Sequence, residues 1–469
     1  MAAMRIRGVV LAIALGLSGC ATVYNMPLNT PSADPYAGTI TQAITASSIG
    51  KRKGLDDGTA IALSFSGGGT RAAAFSFGVL EQLGRTPSPG TGQDLLDHLG
   101  VISGVSGGAI TAAYYGLKGR ESLADFREQF LVQDLMSQLR TDIGLVNISR
   151  ALGGGVNTDE RLRDWFNTHL YHGATFGTLI ARGRPITLIN ATDIYSRTPF
   201  LFVPASFAAL CSDLSEYPIA AGVAASAAVP GAFAPIVVEA FPDRCKTPLP
   251  PEVEKAANNP SGSPLVHAYA LALKRARTGR IKYVKLLDGG LVDNYGLSGI
   301  TIAISTSNTP YGPLQAREAV NLRRLLFLVV DSGRGPQGAW AQTVEGPTGK
   351  ELISAVVDAI VDANTHSSYA AFEATMTTWR EKIIRWRCSL PRAEVVRLRG
   401  NGGPWNCRDV KFIIGRVSFD EMTGARARAL NDVPTSFTLP PDTVDELRRA
   451  GGEALQANTA FQTFLREAK

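Results

Sequence analysis

Short apolar runs alternate along the chain with longer segments of helical periodicity. Five runs have the strand pattern, and several of them end in glycine or aspartate: TAIALSF (59–65), VISGV (101–105), RPITLINATD (184–193), RIKYVKLLDGG (280–290) and RRLLFLVVDSG (323–333). The last run is apolar at successive positions, as strands buried on both faces are. Strands that alternate with helices favour a mostly parallel sheet flanked by helices, so the sequence predicts an α/β fold.

The same pattern divides the chain into parts. Residues 20–55 are polar and contain scattered prolines without a sustained period, which is typical of a tether. Residues 56–335 carry the strand and helix pattern and are predicted to form the main domain. Residues 336–469 are predicted to be a mostly helical extension with a long helix from about Lys350 to Arg380. The pattern leaves open whether this extension is separate or part of the main domain.

The N-terminus has the pattern of an export signal. A basic MRIR stretch precedes an apolar run at 8–17, which is shorter than the roughly 20 residues that span a bilayer. The segment LSGC, which ends at Cys20, resembles a bacterial lipobox, so we expect cleavage after residues 1–19 and lipidation of Cys20. The alanine at position 21 favours the outer membrane of the bacterial cell envelope. An ordinary secretory signal with an incidental cysteine is the alternative.

Composition and cysteine count narrow these expectations. The chain is 45% hydrophobic and 19% charged, which is globular composition, and its net charge of +6 comes largely from arginine. That excess reflects either coding bias or attraction to an anionic phospholipid surface. The four remaining cysteines form two local pairs, Cys211 with Cys245 and Cys388 with Cys407, which predict disulfides in an exported chain. The sequence has no CxxC or HExxH spacing, so we expect no metal.

One segment has the pattern of a nucleophile elbow. Gly104, Ser106 and Gly108 match G-x-S-x-G, after a short apolar strand and before a predicted helix. Glycines flank the serine in such motifs because the sharp turn leaves no room for neighbouring side chains. Ser106 is therefore the candidate nucleophile, and a glycine-rich turn with an incidental serine is the alternative.

A second glycine-rich segment, SGGGT at 66–70, lies between a strand and a helix. Glycines let several backbone N–H groups approach one oxygen atom, and the helix dipole favours negative charge there. The segment lacks the Gly-Lys-Ser/Thr of a phosphate-binding loop, and Ala72 and Ala73 break a dinucleotide fingerprint. We therefore expect it to bind the oxyanion that forms when a serine attacks an acyl group.

These motifs together resemble the patatin-like phospholipases. SGGGTRA, then GVSGG about 40 residues later, then a late DGG beginning at Asp288 occur in the order of that family, and NATD (190–193) and ASAAVPGAFAPI (225–236) are also similar to its segments. The resemblance spans roughly residues 60–333. It implies the three-layer architecture of the family and a substrate that is a phospholipid or another acyl lipid. It implies no metal or cofactor.

The resemblance also implies roles for single residues. Ser106 would be the nucleophile and Asp288 its only partner, in a dyad without histidine. The oxyanion site would be formed by the glycines of two loops with an arginine nearby: Gly67, Gly68, Gly69, Gly107 and Arg71. Asp288 must hold a proton briefly, so we expect burial to raise its pKa. The family usually has glycine at the position of Ala72, which makes this loop slightly less open.

Two alternatives remain open. Ser106, Asp331 and His366 satisfy the chain order of an α/β-hydrolase triad, although His366 lies in a predicted helix rather than a loop. A lipoprotein could also use an inactive hydrolase fold to bind lipid or to scaffold an envelope complex. The presence of both Ser106 and Asp288 favours an enzyme over such a scaffold.

Overall fold

A computed structural model describes residues 25–35, 58–88, 92–139, 159–183, 185–230, 232–335 and 338–467. The strands are β1 (Thr59–Phe65), β2 (Leu99–Val105), β3 (Ile186–Asp193), β4 (Thr198–Leu201), β5 (Ile236–Glu239), β6 (Tyr283–Asp288), β7 (Arg324–Val330) and β8 (Lys411–Val417). Five of these strands lie where the hydrophobic pattern predicts them, and β4, β5 and β8 do not correspond to predicted strands.

Helices fill most of the connections between the strands. They are α1 (Gly69–Arg85), α2 (Gly107–Lys118), α3 (Ser122–Phe126), α4 (Leu135–Leu139), α5 (Asp159–Phe166), α6 (Phe176–Arg182), α7 (Pro204–Ala209), α8 (Ile219–Ser226), α9 (Pro251–Ala257), α10 (Pro264–Arg277), α11 (Gly290–Asp293), α12 (Ser298–Thr306), α13 (Ala316–Asn321), α14 (Lys350–Ser389), α15 (Arg392–Arg399), α16 (Gly424–Asp432), α17 (Pro441–Ala457) and α18 (Thr459–Glu467). The predicted long helix is α14, which continues nine residues beyond Arg380.

The described strands form one sheet in the order β5-β6-β3-β2-β1-β7-β8, with β4 beside β3. The strands from β3 to β8 in this order are parallel to one another, whereas β4, β5 and β6 are joined by antiparallel pairing. Because parallel strands end at the same edge, β1 and β2 deliver the chain to one edge, which we call the catalytic edge. The predicted mostly parallel α/β fold is confirmed.

Both faces of the sheet are covered, which gives three layers. Alternate residues of a strand point to opposite faces, so Leu63 and Phe65 pack with α1, α2 and α17 on one side. Ala62 and Phe327 pack on the other side with residues of α12 and α14. The central strands β1 and β7 are apolar on both faces because both of their faces are buried.

The predicted tether is wrong for residues 25–35, which lie against the folded body. Asn25 donates hydrogen bonds from its side chain to the carbonyls of Ala234 (3.1 Å) and Pro235 (3.0 Å). Asn29 exchanges two hydrogen bonds with the backbone of Glu239 on β5. The segment therefore covers the open edge of β5, because an unpaired strand edge needs partners for its backbone groups. A polar composition alone does not distinguish a free tether from a segment whose side chains bind to the folded body.

The C-terminal residues belong to the same body rather than to a separate unit. Strand β8 pairs with β7 along its whole length, and α17 packs directly on α1. The contact between the two helices is so close that a Cβ at Gly78 would lie 1.9 Å from the carbonyl oxygen of Arg448. A Cβ at Gly451 would lie 2.1 Å from the carbonyl oxygen of Phe75. The extension therefore completes both the sheet and one of its covering layers.

Two disulfides join the cysteines in the pairs that their spacing predicts. Cys211 is bonded to Cys245, and Cys388 is bonded to Cys407. Cys20 and residues 1–19 lie outside the described residues, so the predictions of a signal peptide and of lipidation stay predictions. Among the residues that the structure does describe, no helix has both the length and the apolar character needed to cross a membrane.

The close packing of α17 on α1 predicts different effects at two neighbouring glycines. Gly451→Ala should lower the free energy of unfolding by about 2 kcal/mol, because the added methyl group has to displace the Phe75 carbonyl. Gly452→Ala is the matched control, since its Cβ would lie 3.5 Å from the nearest atom, and it should be neutral or stabilising by up to about 1 kcal/mol. Urea unfolding followed by circular dichroism measures both variants, and equal effects would contradict this packing.

The disulfides are tested by mass spectrometry of the purified protein after digestion without reductant. We expect two cross-linked peptide pairs, one joining Cys211 to Cys245 and the other joining Cys388 to Cys407. Free thiols at all four positions would show that this pairing is wrong.

Candidate active site

Ser106 lies at the sharp turn between β2 and α2. It is one of the few residues other than glycine with a positive φ, at 51°, a conformation that costs about 1–3 kcal/mol in such residues. The next residue must be glycine, because a Cβ at Gly107 would lie 1.9 Å from the carbonyl oxygen of Gly69. The two glycine-rich loops are therefore in contact, and the Ser106 side chain is held at the catalytic edge.

Ser226 fixes the backbone of this turn. Its hydroxyl accepts a hydrogen bond from the Ser106 N–H (2.9 Å) and donates one to the carbonyl of Asn190 on β3 (2.6 Å). The Ser226 carbonyl in turn accepts from the N–H of Gly289. Ser226 thus joins the serine turn to the end of β6. Ser226 lies in the segment ASAAVPG, which belongs to the family resemblance, but its hydrogen bonds can be seen only in the folded structure.

Asp288 is the last residue of β6, and its carboxyl group lies beside Ser106. Its Oδ1 accepts a hydrogen bond from the N–H of Gly290 (2.8 Å), and the carboxyl group also interacts with the Ser106 hydroxyl. Burial raises the pKa of Asp288 to about 6, although the Gly290 N–H and the nearby Ser106 hydroxyl act to lower it. The carboxyl group can therefore both accept and release a proton near neutral pH.

The SGGGT segment forms the turn between β1 and α1. In this turn the N–H of Gly67, one of the expected oxyanion donors, is already hydrogen-bonded to Asn294. The Gly67 N–H donates to both the carbonyl and the side-chain oxygen of Asn294, each at 3.1 Å. Within the described residues, the N–H groups of Gly68, Gly69 and Gly107 have no hydrogen-bond acceptor. These three lie at or next to the N-termini of α1 and α2, where the helix dipoles favour an anion.

The glycines of this segment also permit close packing, which the sequence does not indicate. A Cβ at Gly67 would lie 2.5 Å from the side-chain oxygen of Asn294. A Cβ at Gly69, which has a φ of 61°, would lie 2.4 Å from the carbonyl oxygen of Ser436. That same Ser436 carbonyl accepts the N–H of Thr70 at 2.8 Å. The loop is therefore held in place by Asn294 on one side and by the C-terminal region on the other.

Arg71, which we expected near the oxyanion, is buried and contacts backbone carbonyls. Its Nε donates to the carbonyl of Ser332 (2.9 Å) and its Nη1 donates to the carbonyl of Val433 (2.7 Å). Burial lowers the pKa of Arg71 to about 10, with a further contribution from Arg334. Another nitrogen, Nη2, lies near Gly68. These contacts suit a residue that positions the loop.

Asp331 and His366 are not arranged as members of a triad. The Asp331 carboxylate accepts hydrogen bonds from the Tyr295 hydroxyl (2.6 Å), Arg416 (3.1 Å) and the Gly333 N–H (2.7 Å). His366 is exposed on α14, one helical turn after Asp362. Across the described residues, no cluster of three or more histidine, cysteine or acidic side chains could hold a metal ion.

The chain is similar to one protein family and to solved structures. The sequence model described as patatin-like phospholipase matches residues 63–300, which is about half of the chain. No curated protein matches the chain. Among solved structures, the chain is similar to human GIVD cytosolic phospholipase A2, with 13% identity and a TM-score of 0.34. That similarity covers 92% of this chain but only 66% of the other.

The raised pKa of Asp288 predicts the pH dependence of Ser106 reactivity. The rate of labelling by a fluorophosphonate should be constant above about pH 6 and should fall below it, because the protonated carboxyl group cannot accept the serine proton. Asp193→Asn is the control. Burial also raises the pKa of Asp193, but its carboxylate accepts hydrogen bonds from the N–H groups of Tyr195 and Ser196 in its own turn. A profile that moves with Asp193→Asn would exclude Asp288 as the titrating group.

Proposed function

The chain belongs to the patatin-like phospholipase family, and on that premise we propose that it hydrolyses acyl esters of lipids, with glycerophospholipids as the main substrate class. One observation carries the proposal: the Ser106 hydroxyl lies beside the Asp288 carboxyl group, whose pKa is raised close to neutral. A single group that accepts and then returns a proton is what a dyad without histidine requires. Neither the acceptance nor the return of the proton needs a cofactor.

In the acylation step Asp288 acts as general base. It takes the hydroxyl proton as Ser106 Oγ attacks the ester carbonyl carbon, and the carbonyl oxygen becomes an oxyanion. The N–H groups of Gly68, Gly69 and Gly107 are the candidate donors to this oxyanion, because the Gly67 N–H is bonded to Asn294. Asp288 then gives its proton to the departing alcohol oxygen, and the acyl group stays on Ser106.

In the deacylation step water takes the place of the alcohol. Asp288 accepts a proton from the water as the water oxygen attacks the acyl carbon, and the same N–H groups stabilise the second oxyanion. The proton returns to Ser106 Oγ when the ester bond breaks, which releases the fatty acid. Both steps use one base, so both should depend on the same pKa.

The proposed substrate agrees with a proposed location in the cell envelope. The lipobox-like segment LSGC would place acyl chains on Cys20 and hold the protein at a bacterial membrane, with the outer membrane favoured by Ala21. An enzyme held there meets phospholipid at high local concentration. The acyl chains that reach the site would then be those of the bilayer it faces.

The alternative of an inactive scaffold is less well supported by the local geometry. The left-handed backbone at Ser106 is unfavourable for a serine and is maintained by the contacts of Ser226 and of the glycine-rich loop. Such strain is expected where a side chain must be presented for reaction, whereas a binding protein has no need of it. We therefore retain the scaffold only as an outcome of the following test.

Labelling of the full-length protein with a fluorophosphonate separates the candidate mechanisms. Ser106→Ala should abolish labelling, and Asp288→Asn should slow it by at least about 100-fold because the general base is lost. His366→Ala should leave the rate unchanged, since His366 is exposed on α14. Each variant is checked for folding by circular dichroism.

Two outcomes of this experiment contradict the proposal. Dependence on His366 without dependence on Asp288 would indicate a triad hydrolase. A well-folded wild-type protein that does not label at all would favour the scaffold.

A further inference from the structure

The exposed apolar side chains of this protein are not scattered over its surface. In the part of the chain that the structure describes, ten large apolar side chains are exposed, and nine of them belong to segments that extend beyond the catalytic edge. The first group, which we call the tyrosine patch, contains Met26, Leu28, Ile194, Tyr195, Val229 and Tyr283. The second, which we call the helix stripe, contains Leu352, Val356 and Ile360 of α14, and Val344 lies before this helix. Contiguous exposed apolar groups mark interaction sites, whereas single ones need no explanation.

The strand register places the tyrosine patch beyond the catalytic edge. Asp288 pairs with Ala191, and β6 runs antiparallel to β3, so Tyr283 lies five residues, or about 16 Å, further out than the catalytic carboxyl group. Past the end of β3, the N–H of Ile194 bonds to the carbonyl of Lys285. Tyr195 follows directly and is 66% exposed. The patch therefore projects on the side where Ser106 lies.

The helix stripe projects beyond the same edge on the other flank of the site. Asn364 of α14 donates to the carbonyl of Leu291, three residues after Asp288, at 2.8 Å. Further along α14, Phe372 packs on Phe327 in the middle of β7, so the helix runs away from the catalytic edge toward its C-terminus. Leu352 lies twelve residues before Asn364, which places it about 18 Å further out along the helix axis.

The stripe has the spacing of a single helical face. Leu352, Val356 and Ile360 recur every four residues, so their side chains lie along one side of α14. Each of the three is about half exposed. Three carboxylates, Glu351, Asp358 and Asp362, also lie on this part of α14. The stripe therefore supplies apolar contact, and any attraction to anionic groups must come from elsewhere.

The tyrosine patch carries that positive charge. Lys282 Nζ lies 5.2 Å and Lys285 Nζ lies 5.5 Å from the centre of the Tyr283 ring. A tyrosine with adjacent lysines suits the zone between lipid headgroups and acyl chains, because the ring is amphipathic and the lysine stems can extend to phosphate. Each such lysine contributes to attraction by anionic lipids.

The N-terminal segment limits how far this surface can lie from a membrane. Asn25 is bonded to the carbonyls of Ala234 and Pro235, on the loop that also holds Asp288 through Ala228. Only four residues separate Asn25 from Cys20, and the five Cα-to-Cα steps between them span at most about 17 Å. A lipidated Cys20 would therefore hold the membrane surface close to the tyrosine patch.

We propose that the catalytic edge docks on a lipid bilayer with anionic headgroups, through the tyrosine patch on one flank of Ser106 and the helix stripe on the other. The proposal rests on the proposed function, since it supplies the route by which an acyl lipid reaches a buried serine. A lipid could pass from the bilayer to the site between the two groups without crossing water. The opposite edge of the sheet, near Lys382 and Arg385 at the far end of α14, would face away.

Photo-crosslinking of the full-length Ser106→Ala protein tests this orientation. The protein is mixed with vesicles of phosphatidylethanolamine and phosphatidylglycerol that contain a phosphatidylethanolamine with a photoreactive headgroup. After illumination, mass spectrometry locates the labelled peptides. We expect label on peptides that contain Tyr195, Tyr283 and Leu352. Label on peptides that contain Lys382, or the absence of label, would overturn the proposal.

Two charge variants make the test specific. In the Ser106→Ala background, Lys282→Gln with Lys285→Gln should reduce labelling of the tyrosine patch about tenfold on these vesicles. Lys382→Gln with Arg385→Gln removes the same charge from exposed positions at the opposite edge and should have no effect. Equal losses in the two double variants would show that net charge, rather than this surface, governs binding.

The design separates docking from catalysis. Because the crosslinked protein lacks the Ser106 hydroxyl, its labelling does not depend on hydrolysis. A protein that reacts with fluorophosphonate at Ser106 but is crosslinked elsewhere retains the proposed function and loses this proposal. A protein that is crosslinked at the catalytic edge but does not react with fluorophosphonate retains this proposal and loses the proposed function.

Discussion

The proposed chemistry depends on one arrangement, the position of the Asp288 carboxyl group beside the Ser106 hydroxyl. The two residues lie at the ends of β2 and β6, which are not neighbours in the sheet, because β3 lies between them. Asn190 of β3 binds the carbonyl of Gly104 and, through Ser226, the backbone of Ser106. The strand that separates the pair is therefore also the strand that aligns it.

Removal of this pair from water accounts for the raised pKa and for the surroundings of the pair. A carboxylate removed from water is less stable, which raises the pKa of Asp288 toward neutral, as the proposed role of general base requires. The same burial requires that nearby backbone groups find partners within the protein. Asn294 binds Gly67, while Ser436 binds Thr70, so the glycine-rich loop is held by residues distant in the sequence. The C-terminal region is thus part of the support of the site.

The hydrophobic pattern predicts the central strands well because β1 and β7 are apolar, bounded by glycine or aspartate, and buried on both faces. It misses β4 and β5, which have only four residues each, and β8, whose pairing with β7 depends on a distant part of the chain. Motif order and family resemblance predict Ser106 and Asp288 as the reacting pair. They could not show that the Gly67 N–H donates a hydrogen bond to Asn294. Asn294 follows α11, far from Gly67 in the sequence, and lies next to it only in the folded protein.

The most direct test of this account is a crystal structure of the protein with a phosphonate bound covalently to Ser106, whose phosphoryl oxygen takes the position of the oxyanion. The account predicts that this oxygen lies about 3 Å from backbone nitrogens among Gly68, Gly69 and Gly107. It also predicts that the Asp288 carboxyl group remains next to Ser106 Oγ. A phosphoryl oxygen bound by Arg71, or an adduct with His366 beside Ser106 Oγ, would contradict the account.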